Sequence, residues 1–161
     1  MVKLYCEHRI ARDAENLWAV LHTAAFEARL AQAIGLAEYT ELERRETDEV
    51  VYRRIRVVPS IPGAFQSLLR RFGAREKLSY VEEQWRSKEE MVVRWEMTPS
   101  RLADRARIEG LIRIEPQDGR SCLRILDGVA EVQLPAMGRA VERAIVKGTL
   151  EAYAKSAEVA S

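Results

Sequence analysis

The C-terminal segment from Leu134 to Ala160 most constrains what this chain can fold into, because its pattern predicts one long amphipathic helix. Pro135 falls in the predicted first turn, where a missing backbone N–H costs nothing. The predicted inner face carries Met137, Val141, Ala144, Ile145, Gly148 and Ala152. A helix of about 24 residues spans roughly 36 Å, which is about the width of a small domain. It therefore needs an extended surface to lie on, and the preceding sequence predicts a β-sheet.

Small residues lie on or near the predicted inner face of this helix, at Gly138, Ala144, Gly148 and Ala152. One interpretation is that they allow close packing of the helix on the sheet. The other is that they leave room for a guest molecule beneath the helix. The sequence alone leaves both interpretations open.

Much of the preceding sequence alternates between apolar and polar residues, which is typical of half-buried strands. Residues 3–10 show the pattern first, with Leu4, Cys6, His8 and Ile10 on one side. The strongly charged residues 39–46 indicate an edge strand or a solvated strand. Further strands are predicted over residues 50–58, 75–86, 89–98, 102–115 and 121–134.

Shorter helices are predicted between these strands. Asp13 is a predicted N-cap for the first, Gly35 ends the second, and residues 64–72 form a third. The element order predicts an α+β fold, in which a curved antiparallel sheet of about six to seven strands wraps around the long C-terminal helix. Residues 1–161 fit a single domain. A twisted sheet that grips a long helix encloses a wedge of space, which is a cavity unless side chains fill it.

The composition argues against several classes of partner. The chain has 26 basic and 25 acidic residues, a formal net charge of +1, so no nucleic-acid partner is expected. Two cysteines and two histidines, without metal-ligand spacing, predict no metal and no cofactor. Few cysteines and no signal peptide favour the cytoplasm. The longest apolar runs are too short to cross a bilayer, so at most transient membrane contact is expected.

The element order and the N-terminal residues resemble a known superfamily. Glu7-His8-Arg9-Ile10, followed by Ala14-Glu15-Asn16-Leu17-Trp18, is similar to the strand-to-helix opening of many START and Bet v 1-like chains. The resemblance covers nearly the whole chain and implies the helix-grip fold and a START-like ligand-binding domain. Within that superfamily, the sequence is most similar to an uncharacterised bacterial group, a domain of unknown function.

Three segments also resemble the PRELI-like lipid-transfer domains. They are Ile61-Pro62-Gly63-Ala64-Phe65 before a short helix, Arg75-Glu76-Lys77-Leu78-Ser79-Tyr80 at the start of a strand, and the basic last helix rich in small residues. This resemblance implies a phospholipid guest carried with the help of a partner subunit. The sequence shows no partner-binding motif, so the protein partner stays unknown.

Three residues that can carry charge share strand faces with apolar neighbours. A lone histidine such as His8 is most often a structural residue in that position. Arg53 and Arg124 each need a partner if they are buried. The partner is either an acidic group of a ligand or an internal carboxylate such as Asp104 or Glu82. Alternatively, both arginines lie near the rim of the sheet and extend their guanidinium groups to solvent.

The strand over residues 77–85 is ambiguous, because both of its faces carry polar groups. If the face with Tyr80, Glu82 and Gln84 points inward, it offers a guest a hydroxyl, a carboxylate and an amide. Aromatic and thioether side chains such as Trp95 adapt well to apolar ligands. The residues predicted to bind a ligand are Tyr80, Met91, Val93, Trp95, Ile108, Ile112, Met137, Val141, Ile145, His8, Arg53 and Arg124. No residue is assigned a catalytic role, because no catalytic motif occurs at an informative spacing.

Three functions remain open from the sequence. The first is binding or transport of an apolar or amphipathic, lipid-like small molecule between the sheet and the last helix. The second is an enzyme of the cyclase, dehydratase or hydrolase type, with His8, Tyr80, Glu82 or Asp104 acting as acid or base in the same cavity. The third is a protein-interaction module with a filled interior and an exposed apolar patch.

Overall fold

The structure, a computed structural model, describes residues 1–59 and 79–161. Their strands and helices are β1 (Val2–Ile10), α1 (Ala14–Leu21), α2 (Ala24–Ile34), β2 (Leu36–Glu46), β3 (Val50–Pro59), β4 (Tyr80–Ser87), β5 (Val92–Pro99), β6 (Ala106–Asp118), β7 (Ser121–Val132) and α3 (Gly138–Ala160). The helix predicted over residues 64–72, and the predicted start of a strand at residue 75, lie outside the described residues.

The seven described strands form one antiparallel sheet in the order β1-β7-β6-β5-β4-β3-β2. The sheet curves around α3, and α3 packs against β1, β7 and α2. This is the predicted α+β helix-grip fold, and the predicted number of strands is confirmed. The charged strand β2 lies at an edge, where its polar side chains remain hydrated.

Local signals in the sequence fix the ends of the two short helices. Asp13 accepts a hydrogen bond from the Asn16 backbone N–H at 3.0 Å, and Thr23 caps α2 in the same way through the Phe26 N–H at 3.2 Å. Gly35 ends α2 with φ 75°, a left-handed conformation that glycine adopts without a steric penalty. The predicted N-cap and the predicted helix end are therefore both present.

The last helix differs from its prediction in its start and in its inner face. It begins at Gly138, so Pro135 precedes the helix and does not occupy its first turn. Glu142, expected on the polar side, is buried because its carboxylate accepts the Val132 backbone N–H at 2.8 Å. Gly148, expected on the inner face, is exposed. The buried residues of the helix are Gly138, Glu142, Val146, Ser156, Ala157 and Ala160.

Two glycines allow neighbouring strands to approach closely in the middle of the sheet. Gly110 on β6 lies opposite Gly128 on β7. A Cβ at Gly110 would lie 2.4 Å from the Asp127 carbonyl oxygen and 2.9 Å from Trp95 Cζ2, and a Cβ at Gly128 would lie 2.5 Å from the Glu109 carbonyl oxygen. The glycine pair therefore permits the close approach of β6 and β7 and leaves space for the indole of Trp95.

Replacing Gly110 with alanine is expected to lower the free energy of unfolding by about 2 kcal/mol, because the new methyl group overlaps backbone atoms that cannot move independently. Gly148→Ala is the matched control, since a Cβ there meets nothing within 4 Å. In that exposed helical position alanine should add about 0.5–1 kcal/mol. Urea unfolding curves of the two variants measure both effects. Equal stability of Gly110→Ala and the wild-type chain would show that the sheet relaxes around the methyl group.

Candidate functional site

The register of β4 against β3 decides which face of the ambiguous strand points towards α3. Glu82 pairs with the fully buried Ile55, and Tyr80 pairs with the buried Val57. Directly paired residues of antiparallel strands share a face, so Tyr80, Glu82 and Gln84 point inward. We call this side of the sheet the inner face. The structure thus selects the orientation that offers polar groups to the interior.

An apolar wall forms where the middle of the inner face meets α3. Its buried members are Leu4, Trp95, Ile108, Leu126, Ala130 and Val146, and the partly buried members include Met97, Ile112, Ile145, Leu150 and Tyr153. Of the predicted ligand-binding residues, Trp95, Ile108, Ile112 and Ile145 come together here. These side chains pack against one another as a hydrophobic core cluster. Polarizable and aromatic side chains of this kind are suited to contact with an apolar guest.

Other predicted site residues lie apart from this wall. Met91 packs against a second cluster around Ile10 and Leu17, next to α1. Val93 on β5 is the exception, because it is buried and pairs directly with Ile112 of the wall. Met137 is the residue before the first turn of α3, and Val141 is half-buried within that turn. Their part in ligand binding stays a prediction.

Polar side chains gather beside the wall, and we call Tyr39, Tyr80, Glu82 and Tyr153 the inner polar cluster. Tyr153 belongs to the wall as well. Burial raises the pKa of the Glu82 carboxyl, although Gln84 donates a hydrogen bond to it at 2.6 Å. Burial, and then the negative charge of Glu82, raise the pKa values of all three tyrosines. At neutral pH the tyrosines therefore keep their protons, and the interior holds several hydroxyl donors.

Arg53 is buried and paired within the protein. Its guanidinium binds both carboxylate oxygens of Glu27 on α2, and Nε donates to Glu41 Oε2 at 2.7 Å. Burial acts to lower its pKa, but the two carboxylates hold it above the ordinary value. The predicted position at the rim is therefore wrong for Arg53. Neither proposed carboxylate, Glu82 or the exposed Asp104, is its ion-pair partner.

Arg124 is equally buried but has no carboxylate partner among the described residues. Only 3% of its surface is exposed, so its predicted rim position is also wrong. Nη1 donates to Ser156 Oγ and Nη2 to the Tyr153 carbonyl oxygen, both at 2.7 Å, while the buried Nε has no acceptor. His8 pairs with Arg124 across β1 and β7, and its buried Nδ1 has no partner either. Burial, and then the Arg124 charge, lower the pKa of His8.

His22, at the end of α1, is a second histidine with a buried ring nitrogen that has no hydrogen-bond partner within the described part of the chain. Its ring meets the Trp18 ring edge-on at 5.0 Å between centroids, and its buried Nε2 has no hydrogen-bond partner. Burial, followed by the charges of Arg86, Arg53 and Arg44, lowers the pKa of His22 to about 3. The imidazole is therefore neutral in the folded chain at physiological pH.

Several of these residues were missed by the sequence reasoning, and two of them left a usable signal. Tyr153 and Ser156 continue the helical spacing of Val146 along α3. The predicted inner face does not include these two residues. Nothing local marks Glu27 as the partner of Arg53, because the two residues meet only through the packing of α2 on the sheet.

A family model described as "Protein of unknown function (DUF2505)" matches residues 6–161. No curated protein matches the sequence. Because the matched segment includes nearly all of the described strands and helices, the family match concerns this fold as a whole.

Several solved structures are similar to this chain in fold. A protein from Thermus thermophilus has a TM-score of 0.70 at 16% identity, covering 99% of this chain and 97% of that chain. The Zhui aromatase/cyclase from a Streptomyces species has a TM-score of 0.66 at 13% identity, covering 99% and 90%. A START superfamily protein from Mycobacterium smegmatis has a TM-score of 0.63 at 19% identity, covering 96% and 92%. At such identities the likeness establishes the fold alone.

Within residues 1–59 and 79–161, no helix combines the length and apolar character needed to cross a bilayer. The same residues contain no group of three histidine, cysteine, aspartate or glutamate side chains arranged to hold a metal ion.

Proposed function

We propose that this chain, which belongs to DUF2505, a family of proteins of unknown function, binds an apolar or amphipathic small molecule between the inner face and α3. The proposal treats residues 1–161 as one START-like ligand-binding domain. A lipid-like molecule suits the site, because an apolar tail can lie on the wall while a polar group meets the inner polar cluster.

The observation that carries this proposal is the uneven packing of α3 on the sheet. The helix packs against β1 and β7 but makes no comparable contact with β4, whose side chains are neither fully buried nor fully exposed. These half-buried side chains include Tyr80, Glu82 and Gln84. Polar groups that face a protein interior are normally saturated by partners or by water, so this arrangement favours an occupied interior.

An enzymatic function is a second candidate, favoured by Glu82. A carboxyl with a raised pKa in an interior site is suited to act as a general acid. The larger set of acids and bases considered from the sequence is not assembled, because Asp104 is exposed. His8 lies on β1, with β7, β6 and β5 between it and β4. The aromatase/cyclase noted above has the same fold, which shows that this fold can carry an enzyme active site. The similarity does not indicate which reaction this chain would catalyse.

An interaction module has less support. The exposed large apolar residues among those described are Met1, Tyr5, Leu42 and Leu111. Only Tyr5 and Leu111 are close in the sheet, since both pair with Asp127. Two such side chains fall well short of the contiguous patch that marks a protein interface.

The free thiols bear on where the protein acts. Cys6 and Cys122 form no disulfide. Unpaired thiols are typical of a reducing compartment, which supports the cytoplasm as the proposed location.

Filling the interior tests the binding proposal. Ile112→Trp places a large ring on the apolar wall and is expected to reduce retention of a copurified or added lipid-like molecule at least about tenfold. Native mass spectrometry before and after organic extraction measures retention. Leu111→Trp is the matched control, because the neighbouring Leu111 is 43% exposed on the opposite face.

The same experiment separates the candidate functions. Equal retention by Ile112→Trp and Leu111→Trp, with both variants folded, would contradict a binding site on the inner face. A bound molecule whose mass changes during incubation would instead favour the enzyme, and loss of that change in Glu82→Gln would assign the acid.

A further inference from the structure

Two buried arginines on the inner face differ in whether a carboxylate of the protein neutralises their charge, and this difference indicates the chemistry of a guest. Arg53 and Arg124 are 5% and 3% exposed, so both have left bulk water. Arg53 is neutralised by Glu27 and Glu41. Arg124 donates to two uncharged oxygens, and no described carboxylate forms an ion pair with it.

The positive charge of Arg124 therefore stays uncompensated in the described interior. A guanidinium does not lose its proton in proteins, so burial cannot be relieved by neutralisation. Isolated buried charges are costly, and proteins keep them where a partner of opposite charge is supplied. Burial lowers the pKa of Arg124, because the buried environment disfavours the charged form of the guanidinium.

Two buried nitrogen atoms near Arg124 have no hydrogen-bond partner among the described residues. Its buried Nε has no acceptor, and the buried Nδ1 of His8, on the paired position of β1, has none either. Carboxylates and phosphates bind arginine side-on, using Nε together with an Nη group. The ring of Tyr153, 5.0 Å from Arg124 Cζ, covers the guanidinium and limits its access to water.

The apolar wall begins next to these donors. Arg124 pairs with Ile114 across β6 and β7, and one step along the same face Leu126 pairs with Ile112. A molecule whose charged end meets Arg124 can therefore lay its apolar part against Ile112 and Leu126. Resting on the proposed function, we infer that the guest is an amphipathic anion whose carboxylate or phosphate group binds Arg124 and the His8 imidazole.

Three probes with the same tail test the inference: dodecanoate, dodecyl phosphate and 1-dodecanol. The full chain should bind at least one of the anions about tenfold more tightly than the alcohol, measured by calorimetry or by displacement of a fluorescent lipid. The two anionic probes distinguish a carboxylate from a phosphate. Arg124→Met should remove the preference while leaving dodecanol binding unchanged. Arg113→Met, on an exposed arginine of β6, is the control and should retain the preference.

A stability measurement separates this role from a purely structural one. Arg124→Met removes a buried charge that no described carboxylate neutralises. The two oxygens that lose its hydrogen bonds, Ser156 Oγ and the Tyr153 carbonyl oxygen, both belong to α3. The unliganded Arg124→Met chain should therefore melt at the wild-type temperature or above it. Melting several degrees lower, with the anion preference intact, would overturn the inference. If that variant fails to fold, the comparison of acid and alcohol on the wild-type chain decides.

The outcomes distinguish this inference from the function on which it rests. Equal affinity for dodecanol and both anions overturns the anionic guest and leaves binding of an apolar molecule intact. Absence of binding by all three probes rejects the proposed function itself.

Discussion

Replacing Arg53 with methionine is expected to lower the free energy of unfolding by about 3 kcal/mol. The guanidinium joins Glu27 on α2 to Glu41 on β2, so its loss leaves Glu27 without its cation, while Glu41 keeps its ion pair with Arg44. The side chains of Glu27 and Glu41 are 17% and 33% exposed, which places the effect at the low end of that for a fully buried pair. Chemical denaturation at neutral pH measures the change.

Arg54→Met is the matched control for this prediction. Arg54 is the next residue on β3 and is exposed on the outer face, so its loss should change stability by no more than about 0.5 kcal/mol. A loss of similar size in both variants would mean that methionine disturbs β3 itself. A stable Arg53→Met chain would show that Glu27 and Glu41 are satisfied without the guanidinium.

Lowering the pH should reduce the free energy of unfolding, in part because His22 becomes protonated. The substitution His22→Phe should remove this contribution. The pKa of His22 is about 3 in the folded chain, against 6.5 for the free side chain. The stabilisation from keeping the imidazole neutral is therefore complete above about pH 6.5 and is lost as the pH falls towards 3. The wild-type chain should lose about 2.5 kcal/mol more than His22→Phe between about pH 6 and pH 4.

Phenylalanine suits this test because it can keep the edge-on contact with Trp18 and cannot titrate. Unfolding free energies at several pH values give the difference between the two chains, which cancels the carboxylates that both share. Above pH 7 the difference should be constant. If the unfolding free energies of the two chains change with pH in parallel down to pH 4, His22 gains a proton in the folded chain at its ordinary pKa.

The strands and their faces were largely predictable from the sequence. Side chains alternate along a strand with a period of two, so a single run of alternating residues defines both faces. Leu4 and Ile10 are completely buried, while Tyr5 between them is exposed, as the pattern of β1 predicts. The end of α2 was also predictable, because Gly35 adopts a backbone conformation that other residues avoid.

The inner face of α3 was less predictable, because the apolar series and the buried series differ. Glu142 and Ser156 face inward since each has a hydrogen-bond partner there, the Val132 N–H and the Arg124 guanidinium. A pattern based on hydrophobicity cannot include such residues, since the partner that permits their burial is on another element. Gly148, which looked suited to the interface, is exposed.

The sequence by itself therefore determined the order of the described elements, the faces of most strands and the placement of two arginines on strand faces shared with apolar residues. Only the tertiary structure decided which face of β4 points inward and which carboxylates pair with Arg53. Local sequence patterns relate residues that are only a few positions apart, whereas Glu27 and Arg53 are 26 residues apart. Such contacts depend on strand register and helix packing, which no local pattern encodes. For the same reason, only the folded chain could distinguish a neutralised Arg53 from an Arg124 left with its charge.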